Sequence, residues 1–223
     1  MKKIELGERV ITENERIALR NRERFLKSRT LVINFVSSPG SGKTSLIEHT
    51  VRQIGKDCRV LVLTGDLMTQ NDAERVRRHG VEAYQITTHD ACHLTAKMVD
   101  EKIGSAREDN YDIIMVENVG NLVCPASFDL GEDFKVLLIS CGEGDDKPLK
   151  YPPMVRASEV LVVNKIDLQK YVDSKPDLIV ENALKIKPEL KVFKISCKDG
   201  TGIEGWIKWL KSRLQEKQAA QKG

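Results

Sequence analysis

A glycine-rich segment between an apolar run and a helix-like run most limits what this chain can fold into. Residues 36–44 read VSSPGSGKT, after the apolar residues 31–35 and before residues 45–49. Gly40 and Gly42 permit positive φ angles, so successive backbone N–H groups can converge on one anion at the positive end of the following helix. A strand, such a loop and a helix in this order predict a phosphate-binding loop in an α/β fold.

The side chains of this segment indicate which part of a nucleotide it holds. Lys43 is placed to reach the β- and γ-phosphates as a point charge, and the Thr44 hydroxyl is placed to bind Mg²⁺. The full motif has glycine at position 37, where this chain has Ser37. The alternative is a glycine-rich turn that binds no ligand, and it explains the context less well. The predicted nucleotide contacts in this segment are Gly40, Ser41, Gly42, Lys43, Thr44 and Ser45.

Two further apolar runs of the chain are each followed by an acidic residue, which is Asp66 after the first run and Glu117 after the second. In an open parallel sheet, ligands lie beyond the carboxyl ends of the strands. We therefore predict that Asp66 and Glu117 bind magnesium together with Thr44. Gly120 then gives the segment after Glu117 the freedom to move when a γ-phosphate binds.

Asp72 is a third acidic candidate. It is predicted to cap the helix 73–79, and alternatively to approach the metal-bound water. Asp66 has an alternative as well, because an aspartate after Gly65 often only closes a turn. The predicted catalytic residues are Lys43, Asp66, Asp72 and Glu117.

A second strong motif, residues 164–167 (NKID), follows the apolar run 159–163. The Asp167 carboxylate can accept hydrogen bonds from N1 and N2 of guanine, a donor pair that adenine lacks. Lys165 is predicted to lie along the base, and Asn164 to tie this loop to the phosphate loop. A short run after the last strand is predicted to present N–H groups to the guanine oxygen, although alone it indicates a plain turn. That run is Ser196, Cys197 and Lys198.

Three side chains form a candidate site for a softer metal ion. Cys92 and His93 are adjacent, and Cys124 follows the Glu117 segment. Thiolate and imidazole are ligands that Zn²⁺ and Ni²⁺ accept. By spacing alone the more common arrangement is a buried cysteine beside a helix-capping histidine, so the spacing leaves both interpretations open.

Composition excludes several other classes of protein. Among 223 residues, 36 Lys and Arg stand against 33 Asp and Glu, and a net charge of +3 gives no basic surface for nucleic acid or membrane. No apolar run approaches the roughly 18 residues of a spanning helix, and the N-terminus lacks a signal-peptide core. Five cysteines without paired spacing indicate reduced thiols. We expect a cytoplasmic protein without nucleic-acid or membrane partners.

The apolar pattern predicts a single domain with a mostly parallel sheet flanked by helices. The N-terminal segment 1–28 carries an amphipathic helix from residue 4, which covers the edge of this domain or docks on another protein, the first being favoured. Residues 29–218 form the nucleotide-binding domain, and residues 219–223 form a frayed tail.

Two further predictions concern single features of this domain. Trp206 is predicted to lie in the core rather than to stack on a ligand. The acidic, glycine-rich residues 141–146 are predicted to be a solvated connection. The remaining predicted strands are 59–64, 81–86, 112–116, 134–140, 159–163 and 191–195, and the remaining predicted helices are 47–54, 94–103, 177–187 and 201–217.

Taken in order, these motifs resemble those of a GTPase, and more narrowly those of the HypB family, the nickel-insertion GTPases of nickel-iron hydrogenase maturation. The narrower resemblance rests on Gly65-Asp66, residues 72–75 (DAER), residues 92–94 (CHL) and residues 117–125 (ENVGNLVCP). It covers nearly the whole chain. It implies a P-loop NTPase fold of the SIMIBI type and an enzyme that hydrolyses GTP to GDP and phosphate. Turnover is expected to be slow, because no arginine finger is evident in the sequence.

The resemblance implies metal chemistry and partners as well. Family members form dimers on binding GTP, with a nickel or zinc site at the subunit interface built from the positions of Cys92, His93 and Cys124. The implied partners are a nickel-binding accessory protein and the precursor of the hydrogenase large subunit. Some members store nickel in an N-terminal cysteine motif or a histidine-rich tract, and this sequence has neither, since its first cysteine is Cys58. The implied function is therefore nickel delivery rather than tight nickel storage.

Three other functions remain as alternatives. The first is a GTPase of the urease accessory type. In that family the second switch segment resembles Glu-Ser-Gly-Gly, whereas this chain has ENVG at residues 117–120. A small-molecule kinase with the same phosphate loop predicts an arginine-bearing lid and leaves residues 164–167 without a role. A purely metal-binding module leaves both nucleotide motifs without a role. Hydrolysis of GTP compared with ATP separates these alternatives.

Overall fold

One parallel sheet forms the centre of the protein. The computed structural model describes residues 12–66, 71–88, 91–106 and 111–219. The strands are β1 (Leu31–Ser37), β2 (Val60–Asp66), β3 (Glu82–Thr87), β4 (Ile113–Glu117), β5 (Phe134–Ser140), β6 (Val160–Asn164) and β7 (Lys191–Lys194). They lie in the order β3-β2-β4-β1-β5-β6-β7, and each pair of neighbours is parallel. The predicted α/β class is confirmed.

Helices connect the strands, because parallel neighbours need crossover segments. The helices are α1 (Glu13–Ser28), α2 (Lys43–Ile54), α3 (Asn71–Arg77), α4 (Ala96–Gly104), α5 (Lys147–Lys150), α6 (Pro152–Ala157), α7 (Pro176–Ile186) and α8 (Ile203–Ala219). Short 3-10 helices follow β4, β5 and β6, at Cys124–Ala126, Cys141–Glu143 and Ile166–Tyr171. Within the described residues, none of the helices combines the length and apolar character needed to cross a bilayer.

Helices cover the sheet on both faces. On one face, Phe35 of β1 lies in a buried cluster with Trp206 of α8. On the other face, Val32 of β1 lies in a second cluster with Phe25 of α1 and Val99 of α4. Every residue of β1 is therefore buried, which explains its mostly apolar sequence.

Trp206 lies in the core, as predicted. It is fully buried, and its ring meets that of Phe35 edge-on with the centroids 6.2 Å apart. Its indole N–H donates to the Thr50 hydroxyl of α2 at 2.9 Å, so the polar atom of this large ring is satisfied inside the core.

Helix α1 packs on its own domain, as favoured from the sequence. A capping box between Thr12 and Glu15 starts the helix. The buried Asn21 side chain donates to the carbonyls of Ala96 and Leu130 at 3.0 and 3.1 Å. These bonds fasten the helix to α4 and to the segment before β5.

The structure moves several predicted boundaries. Helix α3 begins at Asn71 and ends at Arg77, so Asp72 lies inside its first turn and is not its N-cap. Thr95 caps α4, so Cys92 and His93 precede that helix. Helix α8 continues to Ala219, which was predicted to lie in the frayed tail. Three predicted features lie outside the described residues: the helical residues 4–11, residues 89 and 90 of a loop predicted at 87–91 after the strand 81–86, and the tail residues 220–223.

Candidate nucleotide and metal site

The phosphate loop has the backbone that its glycines predict. Gly40 and Gly42 adopt φ angles of +74° and +100°, and Gly42 immediately precedes α2. The Lys43 ammonium group donates to the Ser37 hydroxyl at 2.9 Å, so the residue that replaces the motif glycine holds the lysine. Burial lowers the pKa of Lys43, against the opposing charge of Glu117.

This loop borders an open cleft of about 510 Å³ beyond the carboxyl ends of the strands. The cleft has the position that ligands take in open α/β sheets. It brings together the predicted residues Gly40, Gly42, Lys43, Thr44, Ser45, Asp66, Asp72, Glu117, Gly120 and Lys165.

Glu117 is the most strongly perturbed acid of this cleft. Its Oε1 atom accepts a hydrogen bond from the Thr44 hydroxyl at 2.8 Å. Its Oε2 atom is buried and has no hydrogen-bond partner among the described residues. Burial raises the pKa of Glu117 to about 7, although the Lys43 charge opposes this rise. A carboxylate oxygen without a partner beside a hydroxyl fits a hard divalent cation such as Mg²⁺, which prefers oxygen ligands.

Arg75 is a cleft residue to which the sequence analysis gave no role. It lies on α3 one turn after Asp72, and its guanidinium is 3.4 Å from the Asp72 carboxylate. A second contact of 2.6 Å joins it to Glu48 of α2. The two acids orient a permanent positive charge at the wall of the cleft.

The predicted base-side loop touches the phosphate loop. The Asn164 amide donates to the Ser41 carbonyl at 2.9 Å, as the sequence analysis proposed. Lys165 adopts the left-handed conformation, with φ +60°, and its ammonium group donates to the Gly40 carbonyl at 2.7 Å. The two motifs thus form one continuous surface.

Asp167 is held by the loop after β7. Its Oδ1 atom accepts a hydrogen bond from the Ser196 hydroxyl at 2.7 Å. The backbone N–H of Cys197 donates to Asn164 Oδ1, and that of Lys198 donates to Ser196 Oγ, each at 3.3 Å. These two N–H groups therefore donate to side chains of the protein, and the Ser196 hydroxyl orients the Asp167 carboxylate.

The prediction of a solvated connection at 141–146 is wrong. Glu143 turns back to the phosphate loop, where its Oε1 atom accepts from the Ser41 hydroxyl at 2.7 Å and from the Ser140 N–H at 2.8 Å. Cys141 is buried. The sequence did contain a signal, because Ser140 and Glu143 have the spacing of a capping box.

Cys92, His93 and Cys124 form one cluster. Their ligand atoms all lie within 4.8 Å of one another, with 2.8 Å between the two sulfur atoms and 3.6 Å between Cys92 Sγ and His93 Nδ1. The His93 ring packs on Phe128 at a centroid distance of 3.8 Å. Burial lowers the pKa of His93, which favours the neutral imidazole that a metal needs. Two thiols and one imidazole fit a tetrahedral zinc site with one open position. Imidazole is also a ligand that nickel accepts.

The segment between the two sites also touches the phosphate loop. A Cβ atom on Gly120 would lie 2.9 Å from both the ring and the backbone nitrogen of Pro39. Gly120 therefore allows an approach that no other residue permits without movement. The segment that carries Cys124 is therefore in direct contact with the phosphate loop.

Fold and site together define a P-loop nucleotide-binding protein. The family model described as CobW/HypB/UreG, nucleotide-binding domain, matches residues 31–194. This match spans the strands from β1 to β7.

Two relatives and one solved structure show which branch of this family the chain resembles. Hydrogenase maturation factor HypB of Escherichia coli is 43% identical over 204 residues, covering 92% of this chain and 70% of the relative. Hydrogenase/urease maturation factor HypB of Helicobacter pylori is 38% identical over 219 residues, 96% of this chain and 90% of the relative. A crystal structure of HypB from Helicobacter pylori in complex with nickel has a TM-score of 0.86 and 39% identity, covering 92% of this chain and 96% of that one. The chain belongs to the HypB family of hydrogenase maturation factors.

Proposed function

We propose that this protein is a GTP-hydrolysing metallochaperone of the cytoplasm, which assists nickel delivery to nickel-iron hydrogenase and works as one GTPase domain over residues 1–223. The observation that carries the proposal is the course of residues 117–124. This segment begins at Glu117, which contacts Thr44 in the cleft, and ends at Cys124 in the metal cluster. One short stretch of chain therefore serves both sites.

The proposed reaction is GTP + H₂O to GDP and phosphate. Lys43 binds the phosphates, and Thr44, Asp66 and Glu117 hold Mg²⁺. When bound, the magnesium ion neutralises charge on the phosphate oxygens. Asp66 or Asp72 orients the attacking water. The protein contributes positioning and fixed charge, because phosphoryl transfer needs little covalent participation from side chains.

Guanine selection is assigned to Asp167. Its carboxylate is oriented by Ser196, and the neighbouring Asn164 connects it to the phosphate loop. Lys165 lies over the same edge of the cleft. In this proposal the Ser196, Cys197 and Lys198 loop positions the acid, and Asp167 itself reads N1 and N2 of the base.

Calorimetric titration with GTP, GDP and ATP, each with magnesium, tests the nucleotide part. We expect heat with GTP and GDP and far less with ATP. In Asp167→Asn, GTP affinity is expected to fall by roughly 10- to 100-fold, which corresponds to about 1.5–3 kcal/mol for hydrogen bonds to a charged group. Asp177→Asn is the matched control, since Asp177 is exposed and pairs only with Lys194 among the described residues. Equal GTP and ATP binding would favour the kinase alternative.

Nickel or zinc is the proposed cargo of Cys92, His93 and Cys124. A dimer that forms with GTP would bring two copies of this cluster together, since symmetric pairs present the same surface twice. A nickel-binding accessory protein and the hydrogenase large-subunit precursor are the proposed donor and acceptor. The solved HypB structure with nickel supports nickel as the cargo.

Metal binding is tested by measuring zinc and nickel per chain after dialysis. Cys92→Ala and Cys124→Ala are each expected to lower the bound metal sharply. Cys58→Ala is the matched control, because Cys58 packs at the edge of the core cluster and not at this site. Size-exclusion chromatography with GDP, with a non-hydrolysable GTP analogue and with metal then measures the dimer. Unchanged metal binding in both variants would refute the site.

A further inference from the structure

Asn118 lies between the two sites and is almost fully buried, with 1% of its surface exposed. Its side-chain oxygen accepts hydrogen bonds from the backbone N–H groups of Leu94, at 3.1 Å, and Val119, at 3.0 Å. Its side-chain nitrogen donates to Asn34 Oδ1 at 3.2 Å. One amide therefore joins the end of β4, the centre of β1 and the residue that follows His93.

A buried ion pair anchors the other end of this chain of hydrogen bonds. Asn34 donates to Glu132 Oε1 at 3.1 Å, and Lys135 contacts the same oxygen at 2.6 Å. The Leu130 N–H donates to Glu132 Oε2 at 2.6 Å. Because both oxygens of this buried carboxylate have partners, the network favours one fixed geometry.

Leu94 receives a second contact from the nucleotide side. A Cβ atom on Gly65 would lie 2.9–3.0 Å from Cγ, Cδ1 and Cδ2 of Leu94, so this side chain rests directly on the end of β2. Leu94 is fully buried. It thus touches the two strand ends that carry Asp66 and Glu117, while its own neighbour in the chain is the ligand His93.

We propose that Asn118 is the positioning residue that couples the nucleotide state to the metal cluster. This inference rests on the proposed function. Cys124 is tied to Glu117 through the chain, and the Cys92-His93 pair is tied to the same segment through the Asn118–Leu94 hydrogen bond. A movement of the end of β4 on exchange of GDP for GTP therefore shifts both halves of the cluster together. By linkage, metal binding changes nucleotide affinity by the same factor.

The test is the zinc dissociation constant, measured by competition with a chromogenic chelator, in magnesium with GDP and with a non-hydrolysable GTP analogue. We expect the two constants of the unmodified protein to differ by about fivefold or more. In Asn118→Ala the ratio is expected to approach one. Ser158→Ala is the control, since Ser158 is also fully buried and its hydroxyl donates to the Met154 carbonyl on α6, outside this network, and it is expected to keep the ratio.

Two further measurements separate coupling from packing. Asn118→Asp keeps the oxygen acceptors for Leu94 and Val119 and is expected to keep the ratio, and loss of the ratio in both variants would assign the effect to packing and overturn the proposal. Hydrogen exchange of the Leu94 amide in the unmodified protein needs no variant at all. We expect it to differ between the GDP and GTP-analogue states.

Three other results also contradict this role of Asn118. These are a ratio near one in the unmodified protein, an unchanged ratio in Asn118→Ala, and an identical Leu94 exchange rate in both nucleotide states. Failure of the proposed function is seen separately, as absence of heat with GTP or of bound zinc. The two failures are therefore distinguishable.

Discussion

The side-chain nitrogen of Asn164 lies against Gly42, where any Cβ atom would overlap it. The same nitrogen donates to the Ser41 carbonyl at 2.9 Å. The loop proposed to select the base and the loop proposed to hold the phosphates are thus in close contact at Gly42, which has no side chain. This contact joins the two loops into one continuous surface.

Gly42→Ala is expected to weaken GDP binding by tenfold or more, because the new methyl group displaces Asn164 and the φ of +100° is strained for alanine. Calorimetric titration measures the loss. Gly104→Ala is the control, since a Cβ atom there meets nothing within 4 Å. Wild-type GDP affinity in Gly42→Ala would show that the Asn164 contact has no effect on binding.

Arg75→Ala is expected to weaken binding of a GTP analogue more than binding of GDP, and to slow hydrolysis by roughly 100-fold, as the loss of one charge-stabilising donor does elsewhere. The reason is that Arg75 lines the cleft and is oriented by Glu48 and Asp72. Arg77→Ala, on the exposed side of the same helix, is the control. Equal losses for both nucleotides would mean that Arg75 only stabilises α3.

Glu143→Gln is expected to lower stability by about 1 kcal/mol or more at pH 7. Burial alone would raise the pKa of Glu143, but hydrogen bonds from Ser41, Ser140 and Lys147 outweigh it and lower the pKa. A carboxylate with a lowered folded-state pKa stabilises the fold fully above its unfolded pKa of about 4.3 and loses that contribution as the pH falls through the folded value. Urea midpoints measured from pH 7 to pH 3 should therefore converge for the two proteins.

The control for Glu143 is Glu216→Gln, at an exposed position on α8. It should leave the urea midpoint almost unchanged at every pH. If the difference between wild type and Glu143→Gln were the same at pH 7 and pH 3, the stabilisation would not come from the ionised carboxylate.

Trp206→Ala is expected to cost about 3–5 kcal/mol of unfolding free energy, the usual range for removing a large buried ring. The Thr50 hydroxyl also loses the hydrogen bond of 2.9 Å that it accepts from the indole N–H. Urea denaturation measures the change, and Trp209→Ala, at the more exposed neighbouring ring, provides a comparison. A loss no larger than that of Trp209→Ala would contradict the central packing role of Trp206.

Several features of this protein follow from short stretches of sequence. The phosphate loop at 36–44 and the motif at 164–167 depend on a few residues in fixed order, because each loop is built from its own backbone angles and side chains. The strand β5 is predicted to the residue and the other strands to within two residues, since strands covered on both faces are mostly apolar. The narrower family resemblance also rests on short local segments, which are residues 65–66, 72–75, 92–94 and 117–125.

The meeting of distant segments was decided only by the tertiary structure. Cys92-His93 and Cys124 meet because β3, β2 and β4 are neighbours whose carboxyl ends share one edge of the sheet, an order that spacing did not fix. For the same reason, two hydrogen bonds could not be predicted from the sequence: the one from the Ser41 hydroxyl to Glu143, and the one from the Leu94 N–H to Asn118. Local motifs are set by neighbours in the chain, whereas these contacts depend on strand order, which arises from the packing of the whole sheet against its helices.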